Sequence, residues 1–381
     1  MVNKYIILEV IVFLQAIAAC AQTSRPIQME FLVENDQLIK IDNKKMAVTI
    51  KTWDRNSIKL ESTIKGQGIQ DISAENLFHL VGVGIRSNAK EFRVESKSTL
   101  VESVNASGSK RIYRSNAALK AYLDSVDKVD NRFKLVSSLA NDTYKIGKTS
   151  LTLYVPAKRF LKIDSKYGDI HFDGRFTHIQ IDVKNGNLKL QDVDSLKMDA
   201  EFGNISFNSI KWGKIDLDNA TLIGNRLMDV NLDSESSTIN YKYGERIKLD
   251  SKMDDISLGS IAIIEGDKDF KQITVDTLRV SMNLDGDNAD IKISYLRPSV
   301  KFIDIKNKYG TIQVPLAQLQ HFTLQVEGAA SVFPPFENGE KKEETVIASE
   351  KDSIYSLRRG RLDKESTQIR FRCQSCIVNM R

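Results

Sequence analysis

The chain has 381 residues, of which 41% are hydrophobic and 28% charged, with only 6 Pro. This balance excludes a disordered or fibrous protein and leaves room for one large domain or two modest ones. A formal net charge of +5 spread over this length does not argue for nucleic acid, and four His argue against a multi-histidine metal site.

The first 21 residues read as a secretory signal peptide. Lys4 gives the charged start, Ile6 to Ala19 form an apolar run broken by Glu9 and Gln15, and Ala19-Cys20-Ala21 offers the small residues a signal peptidase reads. The run is too short and too polar for a comfortable membrane span. Ile17-Ala18-Ala19-Cys20 also resembles a lipobox, in which Cys20 would be kept and lipidated. Retention of the segment as an anchor is the third reading. Export to the periplasm, outer membrane or cell surface follows from any of them.

Residues 27–64 carry the first repeat-like stretches: LIKIDNKKMAVTI from Leu38, then Trp53-Asp54 and Ile58/Leu60. The pattern breaks over 65–146, which reads as a mixed α/β insertion packed on the side or end of the main body. It holds strand-like pieces at Phe78 to Ile85 and Phe92 to Glu95. It also holds a helix that Ser115 can cap, with Ala118, Tyr122, Leu123 and Val126 at helical spacing.

From 147 to 336 the chain repeats. LKIDSKYGDIHF starts at Leu161, IQIDVKNGNLKL at Ile179, LKMDAEFGNISF at Leu196, VNLDSESSTINY at Val230 and IKLDSKMDDISL at Ile247, with a weaker copy from Gly213. The apolar anchors Ile170, Leu188, Ile205, Leu222, Ile239 and Ile256 are spaced 18 and then 17 residues apart, and later copies fall at Ile291 and Ile312, beyond an irregular stretch at Gly266 to Phe270. Each copy has two apolar-x-apolar pairs, the period-two pattern of a strand with one buried face. A short turn between them carries Gly168, Gly186, Gly203 or Gly310, where a sharp corner needs a permissive backbone. The fold class expected is all-β: a parallel β-solenoid whose coils stack at about 4.8 Å. Residues 337–362, rich in Glu, Lys and Arg, read as a mobile charged loop, and 363–381 as a C-terminal coil with Cys373 and Cys376 at its corner.

Three stretches resemble a family of exported bacterial proteins, the putative adhesins built on a domain of unknown function: IKIDNKKMAVTIKTWDRNSIKLEST, the strand SLTLYVPAK at Ser150 to Lys158, and the SKYGDIHFDG-type coils. The resemblance runs with interruptions from about Ile27 to Met380. It implies an envelope β-solenoid and no particular ligand. The insertion and the terminal C-x-x-C are not ordinary parts of its pattern.

Candidate chemistry is sparse. Asp164, Asp182, Asp199, Asp216, Asp233 and Asp250 recur at one repeat position, with Asp42 and Asp285 in equivalent places. Stacked carboxylates could form a cation ladder. The structural reading outweighs it, because Lys40, Lys162, Lys197, Lys214 and Lys248 stand two residues earlier and would neutralise the column. No His stands near a candidate nucleophile, no Gly-rich phosphate loop follows a strand, and Arg358-Arg359-Gly360-Arg361 reads as a solvated basic run. Cys373 and Cys376 are expected to form a short-range disulfide in an oxidising compartment, since no second Cys pair completes a zinc site. No cofactor is implied. The expectation is a non-catalytic cell-envelope protein with an adhesin-like binding or scaffolding surface. Its partner would be a glycan or a protein, not nucleic acid, and its only membrane contact a lipid on Cys20. The alternatives are a carbohydrate-active enzyme of the β-helix type and an accessory protein of an envelope-stress system.

Overall fold

The computed structural model describes residues 23–67, 73–96, 145–146, 149–333, 335, 344–348, 353–360 and 366–381. The signal segment with Cys20 and the helix expected near 115–126 lie outside them. The chain divides into two compact units, Met1–Pro156 and Ala157–Arg381.

In the first unit, Thr23–Leu32 runs antiparallel to Ser57–Gln67, and Ser150–Pro156 pairs in parallel with Ala47–Trp53. Within the insertion, Ala74–Leu80 is a helix, so Phe78 lies on a helix rather than on the expected strand. Leu77 and Phe78 are buried there. Val83–Ser87 and Glu91–Ser96 form an antiparallel pair, and the latter adds in parallel to Leu38–Lys44. This part of the insertion therefore extends the sheet through backbone pairing instead of resting on it.

The second unit is the solenoid. From Asn187 to Asp287 the chain forms six successive long strands: Asn187–Glu201, Asn204–Asp218, Thr221–Glu235, Thr238–Lys252, Asp255–Asp269 and Gln272–Asp287. Each pairs in parallel with the next, and the first five do so in unbroken one-coil register: Leu188 on Ile205, Ile205 on Leu222, Leu222 on Ile239, Ile239 on Ile256. The apolar alternation sets this register, because a one-residue slip would turn every buried side chain outward. The columns through Ile205, Phe207, Ile210 and Ile215 are buried and form a continuous core.

The stretch Gly266 to Phe270 is not irregular as expected. It completes a coil whose anchor is Ile273, paired with Ile256 below and Ile291 above. One register shift, opposite Ile261 to Ile263, absorbs the extra residue that the next strand carries between Leu278 and Ser281. Gly266 sits at φ +125 with the position of its missing Cβ 1.9 Å from the Leu249 carbonyl oxygen, so no larger residue fits. The stack continues through Phe302–Lys308 onto Thr367–Asn379, whose later residues Ile377 to Asn379 pair with Thr311–Gln313.

The charged segment after Glu337 departs from the expected loop. Glu344–Ala348 and Ser353–Arg359 form an antiparallel hairpin, and its second strand pairs antiparallel with Phe322–Val326. Leu357 is buried, and Arg359 donates to the Ala317 and Leu319 carbonyl oxygens at 3.0 and 3.2 Å. Tyr355 and Leu357, two apart on one face, lie opposite Val326 and Leu324, and this apolar pairing outweighs the high charge of the surrounding sequence.

Candidate functional site

Two residues separate each long strand from the next, and they make the corner. The first adopts the left-handed region: Tyr167, Asn185, Phe202, Asn219, Ser236, Met253, Phe270, Asn288 and Tyr309 have φ between 50 and 59. The glycines expected to supply this conformation are the second corner residue. At Gly186 and Gly203 the requirement is close approach: an added Cβ would lie 2.5 and 2.4 Å from the carbonyl oxygen of the glycine one coil below. The left-handed residues stack as a column, each donating its N–H to the strand end of the next coil, as Phe202 does to Asp218 and Phe270 to Asp287.

The outward Asp column is longer than the sequence suggested. Asp164, Asp182, Asp199, Asp216, Asp233, Asp250, Asp267 and Asp285 pair in unbroken succession. Asp267 was hidden by the apparent irregularity around Gly266. The expected neutralisation by Lys fails in this unit. Its column is interrupted by Gln180, Asn231, Glu265 and Asn283. Among the described residues, only Asp285 of the eight makes an ion pair, with Lys306 at 2.6 Å. Burial first, and then the neighbouring Asp199 and Asp164, push the Asp182 carboxyl up; burial, Asp233 and Asp199 do the same to Asp216. In the first unit the Lys–Asp reading does hold, with Lys40 3.2 Å from Asp42.

A polar ladder runs along the strand starts just past the corner. Asn187 donates from its backbone and its side chain to Asp169, and Asn204 donates to Asn187 at 3.0 Å. A separate cluster pins the coils at Tyr243. Its hydroxyl donates to Glu245, while Arg279 stacks 4.5 Å from its ring centroid and pairs with Glu245 at 3.1 Å. These contacts hold Glu245 below the usual carboxylate range, the Tyr243 hydroxyl first and Arg279 after it.

Among the described residues, no group of three His, Cys, Asp or Glu could hold a metal ion. His171 and His178 occupy different columns, opposite Lys189 and Ser195. Cys373 and Cys376 are buried and carry free thiols that interact across the corner residue Ser375. Cys376 is lowered by the Cys373 thiol and by the backbone at Gln374 and Gly310, whereas Cys373 is pushed up by Cys376 and by burial.

Repeated coils with a two-residue corner and in-register outward columns define the fold, and residues 89–357 match the family described as Toastrack DUF4097. The chain belongs to the Toastrack DUF4097 family. Two solved structures are similar to this Toastrack chain. One is a putative cell adhesion protein from Clostridium sporogenes ATCC 15579, at 10% identity and TM-score 0.21, covering 93% of this chain and 99% of that one. The other is a putative adhesin from Bacteroides fragilis NCTC 9343, at 14% identity and TM-score 0.29, covering 74% and 97%. No curated protein matches the Toastrack chain. No described helix is long and apolar enough to cross a membrane.

Proposed function

We propose that this chain is a non-catalytic, exported binding or scaffolding protein of adhesin type, working through the outward columns of its solenoid. The observation that carries the reading is register. Equivalent side chains face outward at the same place on successive strands, as the eight-member Asp ladder does from Asp164 to Asp285. A stiff array that repeats one chemical group about every 4.8 Å suits an extended partner held by many weak contacts.

The test uses the full chain in its own cells, with a photo-crosslinking residue placed singly at exposed Ser206, Asn240 or Ser257. The reading expects a reproducible adduct at outward positions and cofractionation with the envelope. Recovery of the chain as an uncrosslinked cytosolic species, or turnover of a polysaccharide by the purified chain, would overturn it.

A further inference from the structure

We propose that the left-handed corner of the solenoid is a platform for a linear, uncharged β-1,4-linked polysaccharide lying along the stack. This rests on the reading of the chain as a binding surface and names the ligand class. Four aromatic residues project from the corner column: Tyr167, Phe202, Phe270 and Tyr309, with relative exposures of 61%, 51%, 43% and 55%. Counting coils along the column, they stand two, four and two coils apart. Asn185, Asn219 and Asn288 occupy positions between them.

The even spacing matters for the ligand. Two coils span roughly 9.6 Å, close to the disaccharide repeat of an extended β-1,4 chain, in which every second sugar turns the same face to one side. An aromatic ring offers that face a flat apolar surface, and the intervening Asn amides can bond ring hydroxyls. Tyr167 with Phe202, and Phe270 with Tyr309, would each carry one repeat.

Backbone chemistry argues that these rings are not there for packing. A bulky side chain in the left-handed region is disfavoured, and Asn is among the few non-glycine residues that visit it readily. The fold accepts Asn at three places in this column, yet puts strained, half-exposed aromatics at four others. Strain held without compensating burial marks a functional constraint.

Charge narrows the ligand further. In the row just before the corner, Lys184, Lys252 and Lys308 pair with Glu201, Glu235 and Asp287, while the Asp ladder two residues earlier, whose eight members make one ion pair among the described residues, leaves the face net negative. A polyanionic glycan would be repelled by this face, while carboxylates accept hydrogen bonds from neutral sugar hydroxyls.

The experiment titrates cellohexaose, chitohexaose and an anionic galacturonate hexamer into the purified chain by calorimetry. It compares the natural chain with the double variant Phe202→Asn, Phe270→Asn. Saturable binding of at least one uncharged hexamer is expected, with none for the anionic one. The double variant should bind at least tenfold more weakly while its unfolding midpoint rises by about 2–4 °C per substitution. Failure of the natural chain to bind either uncharged hexamer, or unchanged binding by the variant, would overturn the glycan assignment. If photo-crosslinks to an envelope partner persist in that case, the wider binding reading stands; if they vanish too, both fall.

Discussion

Asp285 and Lys306 face each other on adjacent strands with their charged atoms 2.6 Å apart, closing the aspartate ladder with an opposite charge. Every earlier step of the ladder sets like on like. Asp216 lies between Asp199 and Asp233, and burial followed by these two neighbours raises its pKa above 3.8. A carboxyl raised in the folded state weakens the fold wherever it is ionised. The penalty is present at neutral pH and disappears as the pH falls through the raised value toward that of the unfolded chain. Asp216→Asn should therefore stabilise the protein at pH 7. The gain should be only a few tenths of a kcal/mol, about 0.3, because the group is exposed and screened. Denaturant unfolding at pH 7 and pH 3 checks this, with the gain confined to pH 7. A loss of stability at pH 7 would show that the ladder is held together by its charge.

Ile205 sits in the buried column between Leu188 and Leu222. Ile205→Asp places an unpaired charge there and should cost at least about 3 kcal/mol, unfolding several coils because each depends on its neighbours. Asp199→Asn, on the outward side of the preceding strand, should change stability by less than ~1 kcal/mol. Equal losses in urea titrations of the two variants would contradict the assignment of inward and outward faces.

The solenoid was legible in the sequence because each inward column repeats an apolar residue at nearly fixed spacing, from Ile170 to Ile256. The coil through Asp267 was not, because Gly266 replaces an apolar residue of the repeat, and an extra residue between Leu278 and Ser281 lengthens the following step to 18. Glycine marks the corner one residue late. Gly draws attention as the permissive residue, but at Gly186 and Gly203 it serves close packing, and Asn185 and Phe202 take the left-handed turn. The aromatic column was invisible for the same reason: Tyr167 and Phe202 read as turn residues until the register showed which of them share a column.

Lys268 is fully buried in a column between Ser251 and Gly286, and its ammonium donates to the Asp269 and Phe270 carbonyl oxygens. Burial pushes its pKa down from 10.5 to about 8, against the opposing pull of Asp254, Asp255 and Asp269. The folded chain then holds fewer protons than the unfolded one between these two values, so stability rises with pH across that window. Lys268→Met should flatten that rise. Thermal unfolding of both proteins at pH 7.5, 9 and 10.5 compares the slopes, so that Tyr and Cys titration cancels. Parallel slopes would contradict a strained ammonium at this site.

Tyr241 is buried, and among the described residues its hydroxyl has no partner. Desolvation alone pushes that hydroxyl upward, away from ionisation. It pairs with Gly224 on the preceding strand, where an added Cβ would lie 2.2 Å from the Phe207 ring. Gly224 thus leaves room for two aromatic rings in one column. Tyr241→Phe removes an unsatisfied polar group without changing the ring and should stabilise by about 1 kcal/mol. Gly224→Ala forces Phe207 aside and should cost about 1–3 kcal/mol. A Tyr241→Phe variant less stable than the natural chain in denaturant would mean that the hydroxyl has a bonded partner such as an internal water.

Cys373 and Cys376 bracket Ser375, which takes the left-handed corner of the last coil at φ 59. The pair closes the stack: Cys373 follows Asn307 in one column and lies opposite Gly328 on the neighbouring strand. Both thiols are buried, and each perturbs the other. If the chain is exported as proposed, an oxidising compartment should convert them to a disulfide. The closed loop is tiny, so the entropic gain should stay below the ~3 kcal/mol expected for a loop of about 15 residues. Its larger effect should be to stop Thr367–Asn379 from fraying and offering its edge to another molecule. Protein taken from the envelope and alkylated without reduction should show neither thiol modified by mass spectrometry. Cys373→Ser should leave the melting point nearly unchanged while speeding exchange of the amides at Phe371 and Val378. Two freely alkylated thiols would refute the disulfide, and unchanged exchange would refute its role in fastening the last coil.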